Sequence, residues 1–420
     1  MRASGIAALL GAAVVLCACH SYVASGGGQN KSTAQISPIC TQHAIGINSG
    51  AEFVSKRVRI LAARFDFANN GGSGLGISAP PPGSYSAPSA GSIPTGQEAN
   101  DIADAFELAP QYLQAELCLH VTKQASNGIP FNIPVEIYID RWAQPPDAPF
   151  AWSFWEEPRK GQGTQYGRFI GISESLWSNP SFPQDLSGLE QFILEQLLGV
   201  SPPSGPHPAL SDVVPSVAVS GVPNTVNNRA LLLVAVLGRE MGLIINRDRV
   251  QPGDYTDAVS PICNGKPFRD YSWITTLASK PLIGDIHKLG AEHRAATDHR
   301  RTQYVMPDMI LDHLHLESPN YKAIATDIST VYGTQAYPGP PYNPEWADLL
   351  AEATPTDDFA ETYRMMVLRD AVGKDAAGNY KLAVTLTFND GRSDSTNVIA
   401  NLGKGTLSYK TNCISNNFMN

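Results

Sequence analysis

Acidic side chains are the groups of this 420-residue chain most able to do chemistry. Glu240 stands beside Arg239 in the middle of NNRALLLVAVLGREMGLIINRDRV (227–250), and Glu361 follows Asp357 and Asp358 in PTDDFAETYRMMVLRDAV (355–372). An unpaired charge inside an apolar helix costs several kcal/mol, so Arg239 and Glu240 each need an opposite partner or an ion. Arg239 stays cationic and has no lone pair to give, so it can neither move a proton nor ligate a metal. What it can do is pair with carboxylates through its planar fork.

The elements that must position these groups are legible in outline. Residues 227–250 read as a helix apolar almost all round, and 355–372 as a helix with an acidic first turn. The pattern EANDIADAFELAPQYLQAELCLHV (98–121) has helical spacing, as does LSGLEQFILEQLLGV (186–200). NIPVEIYIDRW (132–142) alternates as a strand. GRFIGISESLW (167–177) is a second strand with a helix start near Ser173. YKLAVTLTFNDG (380–391) and KGTLSYKTNCI (404–414) read as closing strands, and residues 201–226 as a Pro-rich loop. Strands first, a central helix and a more helical second half imply an α+β class with two lobes.

In an H-E-x-x-H helix the two His lie one turn apart and bind zinc, while the Glu polarises the metal-bound water. LGREMGLII places Glu240 at that general-base position and Gly242 just before the second His position. Arg239 and Leu243 occupy the two His positions. DDFAETYRMMVL resembles the later helix that supplies the third ligand, a position falling on Glu361. The resemblance implies that Glu240 and Glu361 converge on one cavity, where Arg239 would be the replacement cation that two anions require. Over roughly residues 98–413 the chain therefore resembles the zincin-like, gluzincin-type zinc metallopeptidases, in their bacterial lipoprotein branch, with a degenerate motif.

That resemblance implies a zincin-like two-lobed α+β domain. It would have a small N-terminal sheet, a central active-site-type helix and a mixed helical C-terminal lobe ending in strands. GRFIGIS would be the edge strand above the active-site helix, able to pair with an extended peptide. It further implies a pseudoenzyme of the peptide hydrolase class, without zinc or other cofactor, kept for binding a peptide or an envelope component. The competing reading is an active metal-dependent peptidase with a non-standard ligand set around Glu240, Glu361, His313 and His315. Zinc is expected only on that second reading.

MRASGIAALLGAAVVLCACH carries one positive charge and then an apolar run of secretory length. Its LCAC resembles a lipobox, implying a signal peptide at 1–18 and lipidation of Cys19. The expected organisation continues with a tether and Gly/Ser/Pro-rich region at 19–97, ordered only at 51–68. The N-terminal lobe then spans 98–250 and the C-terminal lobe 251–420. Lipid on Cys19 would anchor the protein to a membrane and place it in the bacterial cell envelope. Four further cysteines, Cys40, Cys118, Cys263 and Cys413, suit an oxidising compartment; of three possible connectivities, Cys40–Cys118 with Cys263–Cys413 is preferred. Their spacing fits no zinc finger.

A net charge of −9 and a pI near 5.5 argue against a nucleic-acid partner. GISES lacks the closing glycine of a nucleophile elbow. The aromatics of FAWSFWEE (150–157) read as a loop packing its own rings. His287, His293 and His299 lack helical spacing and read as surface residues.

Overall fold

In this computed structural model the described residues are 35–64, 88–119, 130–142, 150–156, 167–198, 216–224, 226–248, 346–348, 350–352, 355–375 and 377–419. Residue 214 and the short segments 73–74, 77–78, 121–124, 262–263, 266–271, 274–275 and 302–303 complete them. Cys19, the signal segment and the histidines at 287, 293, 299, 313 and 315 lie outside these residues.

Helix α1 (Gly50–Arg57) feeds β1 (Val58–Ile60), followed by the two-residue strands β2 (Ser73–Gly74) and β3 (Ile77–Ser78). Helices α2 (Gln97–Leu108) and α3 (Gln111–Cys118) replace the single helix expected over 98–121. Pro110 divides them, holding Ala109 in an extended conformation because a proline ring clashes with a preceding helical residue. β4 (Val121–Gln124) and β5 (Pro130–Ile133) form a hairpin before β6 (Val135–Asp140), β7 (Ala151–Glu156) and β8 (Gly167–Ser173).

The main sheet runs β1-β6-β8-β7-β2-β3, with β1, β6 and β8 parallel and β7 antiparallel to β8. Two sequence expectations are corrected here. GRFIGIS is an interior strand, because both its edges are taken by β6 and β7, so it has no free edge for a peptide. AWSFWE within FAWSFWEE is strand β7 and not a loop: Trp152 is buried and lies on Gly171 across the ladder, where an added Cβ would stand 1.9 Å from the indole. Alternation sends Trp152, Tyr138 and Phe169 to one face, with Leu61. Ala151, Ser153, Ile170 and Ile172 face the other side, toward the main core.

Beyond the sheet come α4 (Leu186–Leu198), β9 (Ser216–Ser220), α5 (Asn228–Asp248), α6 (Pro355–Val372), β10 (Ala383–Thr387), β11 (Ser393–Asn397) and α7 (Gly405–Phe418). Strand β9, SVAVS, lies inside the stretch read as a loop and pairs with β10, which pairs with β11. KGTLSYKTNCI is also corrected: it belongs to α7, so the described chain closes on a helix and not on strands. Its buried residues, Leu407, Lys410, Thr411, Cys413 and Ile414, recur at helical spacing, and this packing overrides the β-preference of its Thr and Tyr.

Residues 34–420 form one compact unit. β9 with β10, and α5 with α6, join residues on either side of position 250. Helix α5 is the centre of the core, with every residue from Ala230 to Asn246 buried. It packs on α6, α2, β7 and α4. The α5–α6 approach is close because Gly238 and Gly242 face Val367 and Ala360; a Cβ at 242 would stand 3.0 Å from the Ala360 Cα. Disulfides join Cys40 to Cys118 and Cys263 to Cys413. The mixed content of helices and sheets fits an α+β class.

Candidate functional site

Arg239 and Glu361 meet at the α5–α6 seam. The Arg239 Nε donates to Glu361 Oε1 at 2.5 Å, Nη1 to Glu240 Oε1 at 2.9 Å and Nη2 to Asp357 Oδ1 at 2.6 Å. One guanidinium thus spends each nitrogen on a different carboxylate. Arg239, Glu240 and Glu361 are at most 1% exposed. Asp357, read from the sequence as a helix N-terminal acid, is one of the three anions, and its neighbour Asp358 turns the other way to pair with Lys410 of α7 at 2.8 Å.

Sequence reasoning missed the second half of the network. Arg364, one turn after Glu361 on α6, donates through Nε to Glu361 Oε2 at 2.5 Å and through Nη1 to Glu190 of α4 at 2.8 Å. Its Nη2 donates to Asp348. Glu361 therefore bridges two buried guanidiniums, one on each oxygen. The signal that exposed Arg239 was available here too, since FAETYRMMVL places a Glu and an Arg among apolar residues of a buried helix. Glu190 and Asp348 carry no local signature.

Burial and charge push the titrations in opposite directions. Desolvation raises the Glu240 pKa to about 7, against the opposing pull of Arg239. Ser153 of β7 is the other polar group bonded at this carboxylate, and Glu240 Oε2 receives no well-aligned donor. Desolvation also works to raise Glu361, but Arg364 and Arg239 together outweigh it and hold its pKa below the ordinary value. Asp348 is pushed well above the carboxylate range, by burial first and by Glu361 second. For Arg239, burial favours the neutral form, and Glu240, Glu361 and Asp357 reverse that, so it stays charged.

The zinc ion that the resemblance implies does not fit these residues. The cationic fork of Arg239 lies among Glu240, Asp357 and Glu361, and Leu243, buried one turn further along α5, has no donor atom. Among the described residues no group of three or more His, Cys, Asp or Glu is arranged to hold a metal. What the arrangement can do is pin four elements together: α5, α6, α4 and the Asp348 turn.

A cleft of about 320 Å³ opens elsewhere, where the start of α4, the end of β9 and the start of α5 meet, lined by Ser187, Val219, Gly221, Asn224 and Asn228 among others. It lies three turns, or about 16 Å, from Arg239 along α5. No described helix is long and apolar enough to cross a membrane. Comparison of the chain with protein-family models, with curated proteins and with solved structures returns no match.

Proposed function

We propose that this chain is an envelope lipoprotein built on a metallopeptidase-like, zincin-derived scaffold whose metal chemistry has given way to an ionic lock. It is a pseudoenzyme retained for binding a peptide or an envelope component, anchored through lipid on Cys19. The observation that carries this reading is the Arg239 side chain: at the position of the first zinc-binding His, it bonds both the general-base position, Glu240, and the third-ligand position, Glu361. A permanent cation there takes over the charge balance that a divalent ion provides. The binding role draws on the cleft between α4, β9 and α5, lined by Ser187, Val219, Asn224 and Asn228.

Metal analysis and peptidase assay of the purified full chain test the reading. The expected result is substoichiometric zinc and no hydrolysis of casein, with or without added zinc. Chelator-sensitive, stoichiometric zinc accompanied by hydrolysis would overturn it in favour of an active enzyme. The paired substitution Arg239→His with Leu243→His tests the ancestry separately. Two imidazoles one turn apart, with Glu361 opposite, should give the helix zinc affinity that the parent lacks.

A further inference from the structure

The small sheet β9-β10-β11 has two edges, and the fold treats them differently. On β9 the N–H groups of Val217 and Val219 donate to Gln191 Oε1 at 3.2 Å and Ser187 Oγ at 2.9 Å, two side chains one turn apart on α4. That edge is closed. It also fixes the phase of the sheet, because main-chain groups alternate in direction along an antiparallel strand. With Val217 and Val219 turned to α4, Ser216, Ala218 and Ser220 bond β10 at Thr387, Thr385 and Ala383. Val384 and Leu386 then bond β11 at Thr396 and Asp394, in step with the Phe388 N–H donated to Arg392 O at the hairpin. Ser393 and Ser395 are left with N–H and C=O directed away from the sheet, and both residues are exposed. The main sheet, by contrast, covers its β1 edge: Ile60 N–H donates to Ser92 O, Gly91 N–H to Ile60 O and Ala62 N–H to Ser89 O.

We infer that the outer edge of β11 is a docking site for an extended peptide, which adds as a fourth strand through main-chain hydrogen bonds to Ser393 and Ser395. The edge carries none of the usual guards. β11 has no proline, no lysine and no bulge, and its five pairs with β10 are all one to one. The side chains indicate the partner's chemistry. Thr385 Oγ1 donates to Ser395 Oγ at 2.9 Å across the exposed face, and two hydroxyls hold two hydrogens, so one remains for a further acceptor. A Ser or Thr beside Ser395 on the added strand extends that row. Ser393, Ser395 and Asn397 share this face by alternation, so the segment that fits is hydroxyl-bearing and not hydrophobic. A second folded copy fits less well. Five residues of strand are about 17 Å long, and a contact of that length and one strand's width falls far below the roughly 1,200 Å² of a stable interface. This edge lies across the small sheet from the α4–β9–α5 cleft, and the inference stands whether or not α5 descends from a metallopeptidase.

Calorimetric titration of the full chain with an acetylated, amidated peptide of alternating Thr and Gln tests the site. The expected result is saturable binding at up to about 2 mM peptide. The same peptide N-methylated at every residue keeps the side chains but has no N–H to give, and should not bind. Ser395→Pro removes the outward N–H and leaves the inward ladder intact, so it should weaken binding at least about fivefold. No saturable binding of the Thr–Gln peptide, equal binding of the methylated one, or parent-like affinity in Ser395→Pro would overturn the inference. Should Ser395→Pro fail to fold, the two peptides compared on the parent chain decide. Sedimentation without peptide covers the remaining occupant: a dimer of the parent that added Thr–Gln peptide cannot dissociate would assign the edge to a second copy and overturn the peptide reading.

Discussion

Arg239 supplies charge where no solvent can, and its removal should be felt more than its presence. Arg239→Ala removes the cation that Glu240, Asp357 and Glu361 share, and breaking a buried ion pair of this kind costs about 3–5 kcal/mol. Equilibrium denaturation should show that loss. Arg239→Lys should recover only part of it, since an ammonium cannot reach three carboxylates in one plane. Acid–base behaviour follows from the shifts. Glu240 titrates near 7 when folded against an ordinary 4.5, so the folded state holds a proton that the unfolded chain releases. Stability is therefore lost as pH rises from about 4.5 toward about 7, by about 3 kcal/mol from this residue, and Glu240→Gln should flatten that slope. Glu361 has the opposite sign. Its folded pKa is depressed, so its contribution is present above the ordinary value and disappears as pH falls through the lower one.

At the level of elements, the lock depends on how closely α5 and α6 approach. The role of Gly242 in the fold is steric. Gly242→Ala would place a methyl 3.0 Å from the Ala360 Cα, and neither helix backbone can yield cheaply. The gain of about 1 kcal/mol in helix propensity should be outweighed by about 1–3 kcal/mol of overpacking, so a lower denaturation midpoint is expected. Were the variant more stable than the parent, the close packing of α5 on α6 would be in doubt. The same logic applies to the β7–β8 ladder, where Gly171 lets the Trp152 indole lie flat. The helices and strands with strong periodicity were readable in advance: α5, α6, α4, β6 and β8 all fall where their patterns put them. β9 was hidden because its five residues stand among prolines. α7 was misread because its β-branched and aromatic residues carry strand preference, while the buried stripe facing α6 becomes visible only once α6 is in place.

Across the whole molecule, the two disulfides tie distant parts of the chain to the core. Cys40–Cys118 closes a separation of 78 residues and Cys263–Cys413 one of 150, so each restricts the unfolded chain by about 4–5 kcal/mol in the loop-entropy account. Replacing Cys40 and Cys118 together by Ser should lower the melting temperature measurably, and peptide mapping without reduction should recover both linked pairs. The sequence by itself determined that charged groups lie inside apolar helices, because composition and periodicity are local properties. It also determined that four cysteines stand available for pairing. It did not determine that Glu361 serves two arginines, or that Glu190 and Asp348 complete the network. Those partners are separated by up to 174 residues along the chain, and no local pattern records which side chains will share a dry seam. Only the packing of α4, α5 and α6 around one buried carboxylate decided that.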